Sequence, residues 1–441
     1  MTTIAQVAQI MQVLLQDTAR QIGRTSGFVQ RQSPYGGAEL AQTLVFGWLD
    51  NPQASLAALA QTGAALGINI SAQGLDQRLG QRAAECLRQV LDQAVQQLVQ
   101  ADKVPLAVWA RFSGVYVQDS TTVALPAALA EIWPGCGGGQ TPGDGAAALK
   151  VQVQWELQGG QLSGLELQAG RDADRTAGEW LADLPAGALA LADLGYFNLE
   201  RLAAQAANGS YWLTRVQAGT VLVAADGQHW AFSAWLATQT VSEVDCPIGL
   251  GAEQQLPCRL LARRVAPAVA AERRRQLRAE ARRRGQAVSG ERLKLADWTV
   301  FVTNVPAEWL TLAQAWVLAR VRWQIELLFK LWKSQGQLDE WRSGKPWHIL
   351  CEVYGKLLGQ LVQHWILLVG CWSQPDRSLV KAAQTIRQHA VHLASTFGQP
   401  AAFEQALRVV QRCLAHGCRL NKRRSAPSTF QRLAAFDLAH G

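Results

Sequence analysis

Histidine, tyrosine and methionine are scarce in this 441-residue chain, with seven, five and two copies. The seven histidines (His229, His348, His364, His389, His392, His416 and His440) stand far in sequence from the acidic residues singled out below, so chemistry centred on an imidazole base is not indicated. The eight cysteines form no CxxC pair, which suits free thiols in a reducing compartment better than a disulfide scaffold. Cys413, His416 and Cys418 lie close together but lack a fourth ligand and zinc-like spacing, so core thiols are expected there. Glycine and proline, 38 and 15 residues, fall far short of a collagen-like or low-complexity chain. The first twenty residues lack a basic segment followed by an apolar core, so no signal peptide is expected. The most apolar run, 349–371, is interrupted by Glu352, Lys356, Gln360, Gln363 and His364; it predicts a buried helix, not a lipid-facing one.

What is present is ordinary globular material, 49% hydrophobic and 17% charged, enough for about three domains at ~150 residues each. The net charge is +8, and it is local. Residues 259–294 carry twelve Arg/Lys against three Glu, a net of +9, so the remainder is close to neutral. Within that run ERRRQLRAEARRR (272–284) predicts a helix ringed by Arg273, Arg274, Arg275, Arg278, Arg282, Arg283 and Arg284. Such a helix suits contact with a nucleic-acid backbone, or a solvated surface.

Residues 1–105 read as helical, rich in Ala, Leu and Gln. Ser55 is placed to cap a helix over 56–65, and Ser71 to cap one long helix over 72–99. The short GINI break between them suggests a helix-turn-helix-like pair, either DNA-binding or merely packed. From 106 the pattern changes. Strands are expected at 115–126, 148–157, 162–170, 188–197 and 210–217, with a helix at 198–209 and a hairpin joining the second and third. The Gly-rich loop 134–147 lacks phosphate-loop spacing. Residues 218–295 read as an insertion, with TVLVAA and QHWAFSAWL as short strands. A strand returns at 296–306, and helices follow from 310. The expected class is α/β: a mixed sheet core with a β-rich insertion, flanked by helical N- and C-terminal domains.

Three carboxylates stand out. Asp119 and Asp193 are expected at strand ends, where open sheets present functional side chains, although a strand-end Asp is also an ordinary turn former. Glu326 lies on a single helix predicted over 317–336, in a stripe with Arg322, Lys330 and Lys333 spaced 4, 4 and 3. The flanking positions, Trp323 and Leu327 among them, are apolar and expected in the core. The bland alternative for Glu326 is a simple Glu–Lys pair. Convergent carboxylates suit hard divalent cations and phosphodiester chemistry.

With Asp119 in VYVQDSTTVALP, Asp193 in LADLGYF, WTVFVTNVP, and Arg322, Glu326 and Lys333 in RWQIELLFKLWK, the chain resembles the IS4-family DDE transposases. The resemblance covers roughly 100–336, with 74 residues between the aspartates and 133 from Asp193 to Glu326. The family's signature places Tyr three residues before the Arg; here that position is Ala319, a departure that removes one contact to DNA. The resemblance implies an RNase H-like core over 106–217 and 296–336, interrupted by the insertion at 218–295 and followed by a helical 337–441 segment for dimerisation or DNA contact. It implies Asp119, Asp193 and Glu326 as catalytic and metal-holding residues for two Mg²⁺ ions, with Mn²⁺ as substitute. Arg322, Lys330 and Lys333 would meet DNA. The implied reaction is hydrolysis at terminal inverted repeats, then attack of the freed 3′-hydroxyl on target double-stranded DNA. A homodimer on DNA, no membrane association and a bacterial cytoplasmic, nucleoid location follow from the same likeness. Where a base is flipped in this family an aromatic of the insertion holds it, with Trp212, Trp230 or Trp235 as candidates; for any single one of them a buried core tryptophan is the more usual role. Two other readings remain: a metal-dependent nuclease without strand transfer, and a DNA-binding protein that has lost catalysis. The basic tail 421–432 suits DNA or solvent equally.

Overall fold

The computed structural model describes residues 2–137, 145–174, 183–224, 226–283, 285–420 and 427–438. The centre of the Gly-rich loop (138–144), Arg284 and the first part of the basic tail (421–426) lie outside the described residues.

Helices α1 (Ile4–Gln12), α2 (Ala19–Thr25), α3 (Gly37–Asp50), α4 (Leu56–Ala65), α5 (Ala72–Arg78), α6 (Gln81–Val95) and α7 (Ala107–Ala110) come first. Strands β1 (Val115–Leu125), β2 (Ala147–Glu156), β3 (Leu162–Ala169) and β4 (Leu189–Ala192) follow, then α8 (Leu199–Ala207) and β5 (Tyr211–Thr214). The next stretch holds β6 (Val221–Val223), β7 (His229–Ala231), α9 (Phe232–Thr238), β8 (Glu243–Leu250), β9 (Leu256–Arg264), α10 (Pro267–Arg283) and α11 (Gly290–Leu295). Then come β10 (Trp298–Thr303), α12 (Leu312–Val321), α13 (Trp323–Ser334), α14 (Pro346–Cys371), α15 (Leu379–Gln388), α16 (Ala390–Thr396), α17 (Pro400–Gly417) and α18 (Thr429–Leu438). The strands are ordered β3-β2-β1-β4-β5-β10-β9-β8-β6-β7 in a mixed sheet, the α/β class expected.

The chain divides into two compact units, each discontinuous in sequence. One comprises Met1–Pro105, Ser120–Asp172 and Gln324–Gln431; the other Leu106–Asp119, Ala173–Trp323 and Arg432–Gly441.

The first unit is built around α14. Its 26 residues start with Pro at the first helical turn, where a missing N–H costs nothing. It packs on α3, α6 and α17, and nearly all of it is buried, Glu352, Lys356, Gln360, Gln363 and His364 included. Burial of those groups is tolerated because each polar head finds a partner. Lys356 pairs with Glu352 at 2.9 Å and donates to the carbonyls of Gln337 and Glu340. His364 Nε2 lies 2.7 Å from the carbonyl of Gly160, in the turn of the β2–β3 hairpin. No helix among the described residues is long and apolar enough to cross a membrane. Ser55 and Ser71 cap α4 and α5 as expected, accepting from the amides of Ala58 and Gly74. The long helix expected after Ser71 is two helices. It breaks at Gly80, whose extended backbone starts α6 afresh.

In the second unit β1, β4 and β5 run parallel, with α8 as the crossover from β4 to β5. β10 joins antiparallel, and the insertion strands β9, β8, β6 and β7 extend the same sheet. Trp212, Leu222, Phe232, Leu236, Leu250, Leu260, Trp298 and Val302 form one core that spans parent sheet and insertion. One expectation needs correction here. QHWAFSAWL is a strand only at His229–Ala231, and its remainder is α9. The long β8–β9 hairpin lies in the stretch expected to be β-rich, but neither of its strands was individually assigned.

Candidate active site

The register of the parallel strands places the two aspartates. β1 pairs with β4 from Val115↔Leu189 to Gln118↔Ala192. Asp119 is the next residue of β1, and Asp193 the first residue after β4. Each thus stands at the end of the paired register of the two parallel strands, whose neighbours lie about 4.8 Å apart. Both aspartates are half-buried. Asp193 stands at the end of β4 as expected, one residue past the strand, as the N-cap of a 3₁₀ turn over Leu194–Tyr196. Asp119 does not: β1 continues to Leu125, so Asp119 is interior to its strand and stands where the pairing with β4 stops.

The helix expected over 317–336 is likewise two, α12 and α13, parted at Arg322. Arg322 Nη1 donates to Asp119 Oδ2 at 3.0 Å, with both side chains about one-fifth exposed (20% and 21%). A charge-assisted bond of this kind holds a carboxylate in one orientation. Glu326 follows one turn later, in the first turn of α13, where the helix dipole favours a negative charge. Lys333, in the last turn, donates from Nζ to the carbonyl of Thr122 on β1 at 2.9 Å. Lys330 is exposed. Of the apolar neighbours, Val321, Ile325, Leu328, Leu331 and Trp332 are buried as expected, but Trp323 is 56% and Leu327 40% exposed. Asp119, Asp193 and Arg322 belong to the second unit, Glu326, Lys330 and Lys333 to the first. Among the described residues, no group of three or more His, Cys, Asp or Glu is placed to hold a metal ion, Cys413, His416 and Cys418 included.

The basic run is less uniform than its composition. Arg273 donates to the Trp298 carbonyl and to Thr299 Oγ1, both at 2.9 Å. Arg274 reaches the Leu293 carbonyl and pairs with Asp297. These two tie α10 down. Arg275, Arg278, Arg282 and Arg283 are exposed; Arg275 pairs with Glu272 on its own helix.

Against α10 lies a cavity of about 450 Å³ that sequence reasoning missed. Its walls include Leu194, next to Asp193, together with Arg215, Arg273, Arg292, Phe232 and Trp298. Burial lowers the pKa of the Arg273 guanidinium, and the charge of Arg215 adds to the effect. Cations gathered on an aromatic wall suit an anionic, flat ligand. The tryptophans proposed from sequence stand elsewhere. Trp212 is core and donates to the Leu202 carbonyl. Trp230 and Trp235 stack on each other at 4.4 Å and 10°.

Comparison with known proteins bears on the same segments. The family model described as "Transposase DDE domain" matches residues 110–359. The transposase for insertion sequence element IS231F of Bacillus thuringiensis subsp. israelensis is 27% identical over 376 residues, covering 80% of this chain and 77% of that one. The transposase for IS1151 of Clostridium perfringens is 24% identical over 372 residues, with 78% and 77% covered. The putative transposase InsL for IS186A of Escherichia coli K12 is 28% identical over 226 residues, covering 49% of this chain and 60% of that one.

Proposed function

Since the chain belongs to the DDE transposases, enzymes that cut and join DNA, we propose that Asp119, Asp193 and Glu326 are its catalytic carboxylates. The observation carrying this reading is the β1–β4 register, which ends one residue before Asp119 and Asp193, with Arg322 bonded to Asp119 and Glu326 one turn beyond Arg322 in sequence.

The family uses divalent metal, and the donors fit in kind: hard carboxylate oxygens, two of them where the pairing of β1 and β4 ends. Two bound Mg²⁺ ions, with Mn²⁺ as substitute, would supply Lewis acidity for the attacking and leaving oxygens. The protein's own part is to place Asp119 and Asp193 where the β1–β4 pairing ends and to orient Asp119 through Arg322, with Glu326 as the third carboxylate. Water attacks the phosphodiester at the end of a terminal inverted repeat, the P–O bond to the neighbouring nucleotide breaks, and a 3′-hydroxyl is freed. That hydroxyl then attacks target DNA and displaces another 3′-oxygen. Arg278, Arg282, Arg283 and Lys330 meet the DNA backbone, and each releases counterions on binding. The cavity of Trp298 and Phe232 takes a base turned out of the duplex beside Asp193, with Arg215, Arg273 and Arg292 balancing its phosphate. Two protomers act together on two element ends, at the bacterial nucleoid.

The test is incubation of terminal-repeat DNA and a target plasmid with Mg²⁺, for wild type and for Asp119→Asn, Asp193→Asn and Glu326→Gln. Wild type should cut and join. Each variant should bind DNA but not cut. Cutting without joining favours a nuclease, and retained cutting in any variant removes that residue from the site.

A further inference from the structure

The face of the β8–β9 hairpin opposite the insertion core carries two ion-pair rungs, and both grip the element that delivers Arg322. Arg263 and Glu243 are direct cross-strand partners, 2.7 Å apart. Arg259 takes Asp245 with two nitrogens, at 3.0 and 2.5 Å. Alternation along β9 puts Arg259, Leu261 and Arg263 on one side, and Leu261 between the arginines is fully buried. Arg263 lies over the ring of Trp316 on α12, 4.9 Å from its centroid. Arg259 spends its remaining nitrogen on the carbonyls of Val305 and Leu310, at 3.0 Å each. Those carbonyls bracket the loop between β10 and α12. The end of α12 is Arg322, bonded to Asp119.

We infer that Arg259, oriented by Asp245, is a positioning residue that sets the start of α12 and so the meeting of Arg322 with Asp119. The inference rests on the transposase reading above. Arg259 touches neither DNA nor the reacting atoms. Its guanidinium joins a carboxylate on β8 to both ends of the loop, and a lysine ammonium cannot span all three acceptors. Arg111 also holds this loop, donating to the Trp309 carbonyl at 2.6 Å and to Gln314 Oε1 at 3.0 Å. Without the Arg259 grip the start of α12 keeps only one of two arginine anchors, and a shift of about 1 Å at its far end would cost on the order of 100-fold in turnover. The arginines of this hairpin, although part of the most basic stretch of the chain, are thereby committed to internal geometry.

The test compares Arg259→Gln, Arg259→Lys and Asp245→Asn with wild type in terminal-repeat cleavage. Leu250→Val trims the same insertion core without touching the grip and serves as the stability-matched control. Both Arg259 variants should lose roughly 10- to 100-fold in kcat with the KM for DNA nearly unchanged. Asp245→Asn should lose less, and the control should keep wild-type kcat. A kcat near wild type in Arg259→Gln, a loss equalled by the control, or an effect on KM alone overturns the inference. The two failures separate: cutting that survives Asp119→Asn sinks the site itself, whereas cutting lost in Asp119→Asn but kept in Arg259→Gln sinks only the grip.

Discussion

His364 gives the sharpest stability prediction. Its imidazole is buried in the C-terminal half of α14, with Trp155 and Trp372 edge-on at 5.9 Å and the Gly160 carbonyl 2.7 Å from Nε2. Burial pushes its pKa from 6.5 down to about 4, the bond to Gly160 opposing and the charge of Arg377 assisting. In the unfolded chain the ring takes a proton as the pH falls through about 6.5; in the folded protein it resists until about 4. The neutral ring's stabilisation is therefore complete above about pH 6.5 and is lost progressively as the pH falls from there to about 4. At ~1.36 kcal/mol per pKa unit, the window amounts to about 3 kcal/mol. His364→Gln retains an N–H for Gly160 and removes the titration. Denaturant unfolding followed by tryptophan fluorescence, at several pH values across the window, should show wild type losing about 3 kcal/mol more than His364→Gln as the pH falls. Parallel stability curves for the two proteins would refute the argument.

Other perturbations have equally definite outcomes. Gly160 has φ +79°, and an added Cβ would lie 2.3 Å from Leu368 and 2.4 Å from Trp372, so Gly160→Ala should cost upwards of about 3 kcal/mol, read as a large drop in Tm. Lys356→Met leaves Glu352 buried without its partner and should cost about 3–5 kcal/mol, most of it recovered when Glu352→Gln is added; no recovery in denaturant melts would mean the pair is not the cause. Arg278→Glu and Arg282→Glu should each lower the salt slope of DNA binding by on the order of one, whereas an unchanged slope in gel shifts would place α10 away from the phosphates.

Much of this organisation was legible in the residues. Ser55 and Ser71 announce their helices because a hydroxyl before an apolar run has one obvious use at a helix start. β1, β4 and the β2–β3 hairpin follow from alternation and from the glycines at 159 and 160. The polar residues of 349–371 distinguished a buried helix from a membrane span. What escaped was either irregular or non-local. β8 and β9 contain Pro247, Gly249 and Pro257, which break the strand pattern yet are tolerated in the sheet. α9 was hidden in an alternating, aromatic sequence that favours a strand. Arg322 is a good helix former, so nothing local marks the break between α12 and α13; its bond to Asp119, 203 residues away, is the distinguishing contact. Composition likewise made the arginines look alike. Only the packing separates Arg259, Arg263, Arg273 and Arg274, engaged with other elements of their unit, from Arg278, Arg282 and Arg283 on the exterior.

The way β10 is seated limits how such a protein can be rebuilt. It meets β5 at two residue pairs and β9 at six. Excising 218–295 as though it were a removable module would therefore strip β10 of most of its ladder, and with it the anchorage of everything that leads to Arg322. A chimera between related enzymes has to exchange the segment together with β10. During synthesis β9 is made before β10, so β10 emerges with its main partner already present, and a chain lacking the segment would offer it only the two pairs with β5.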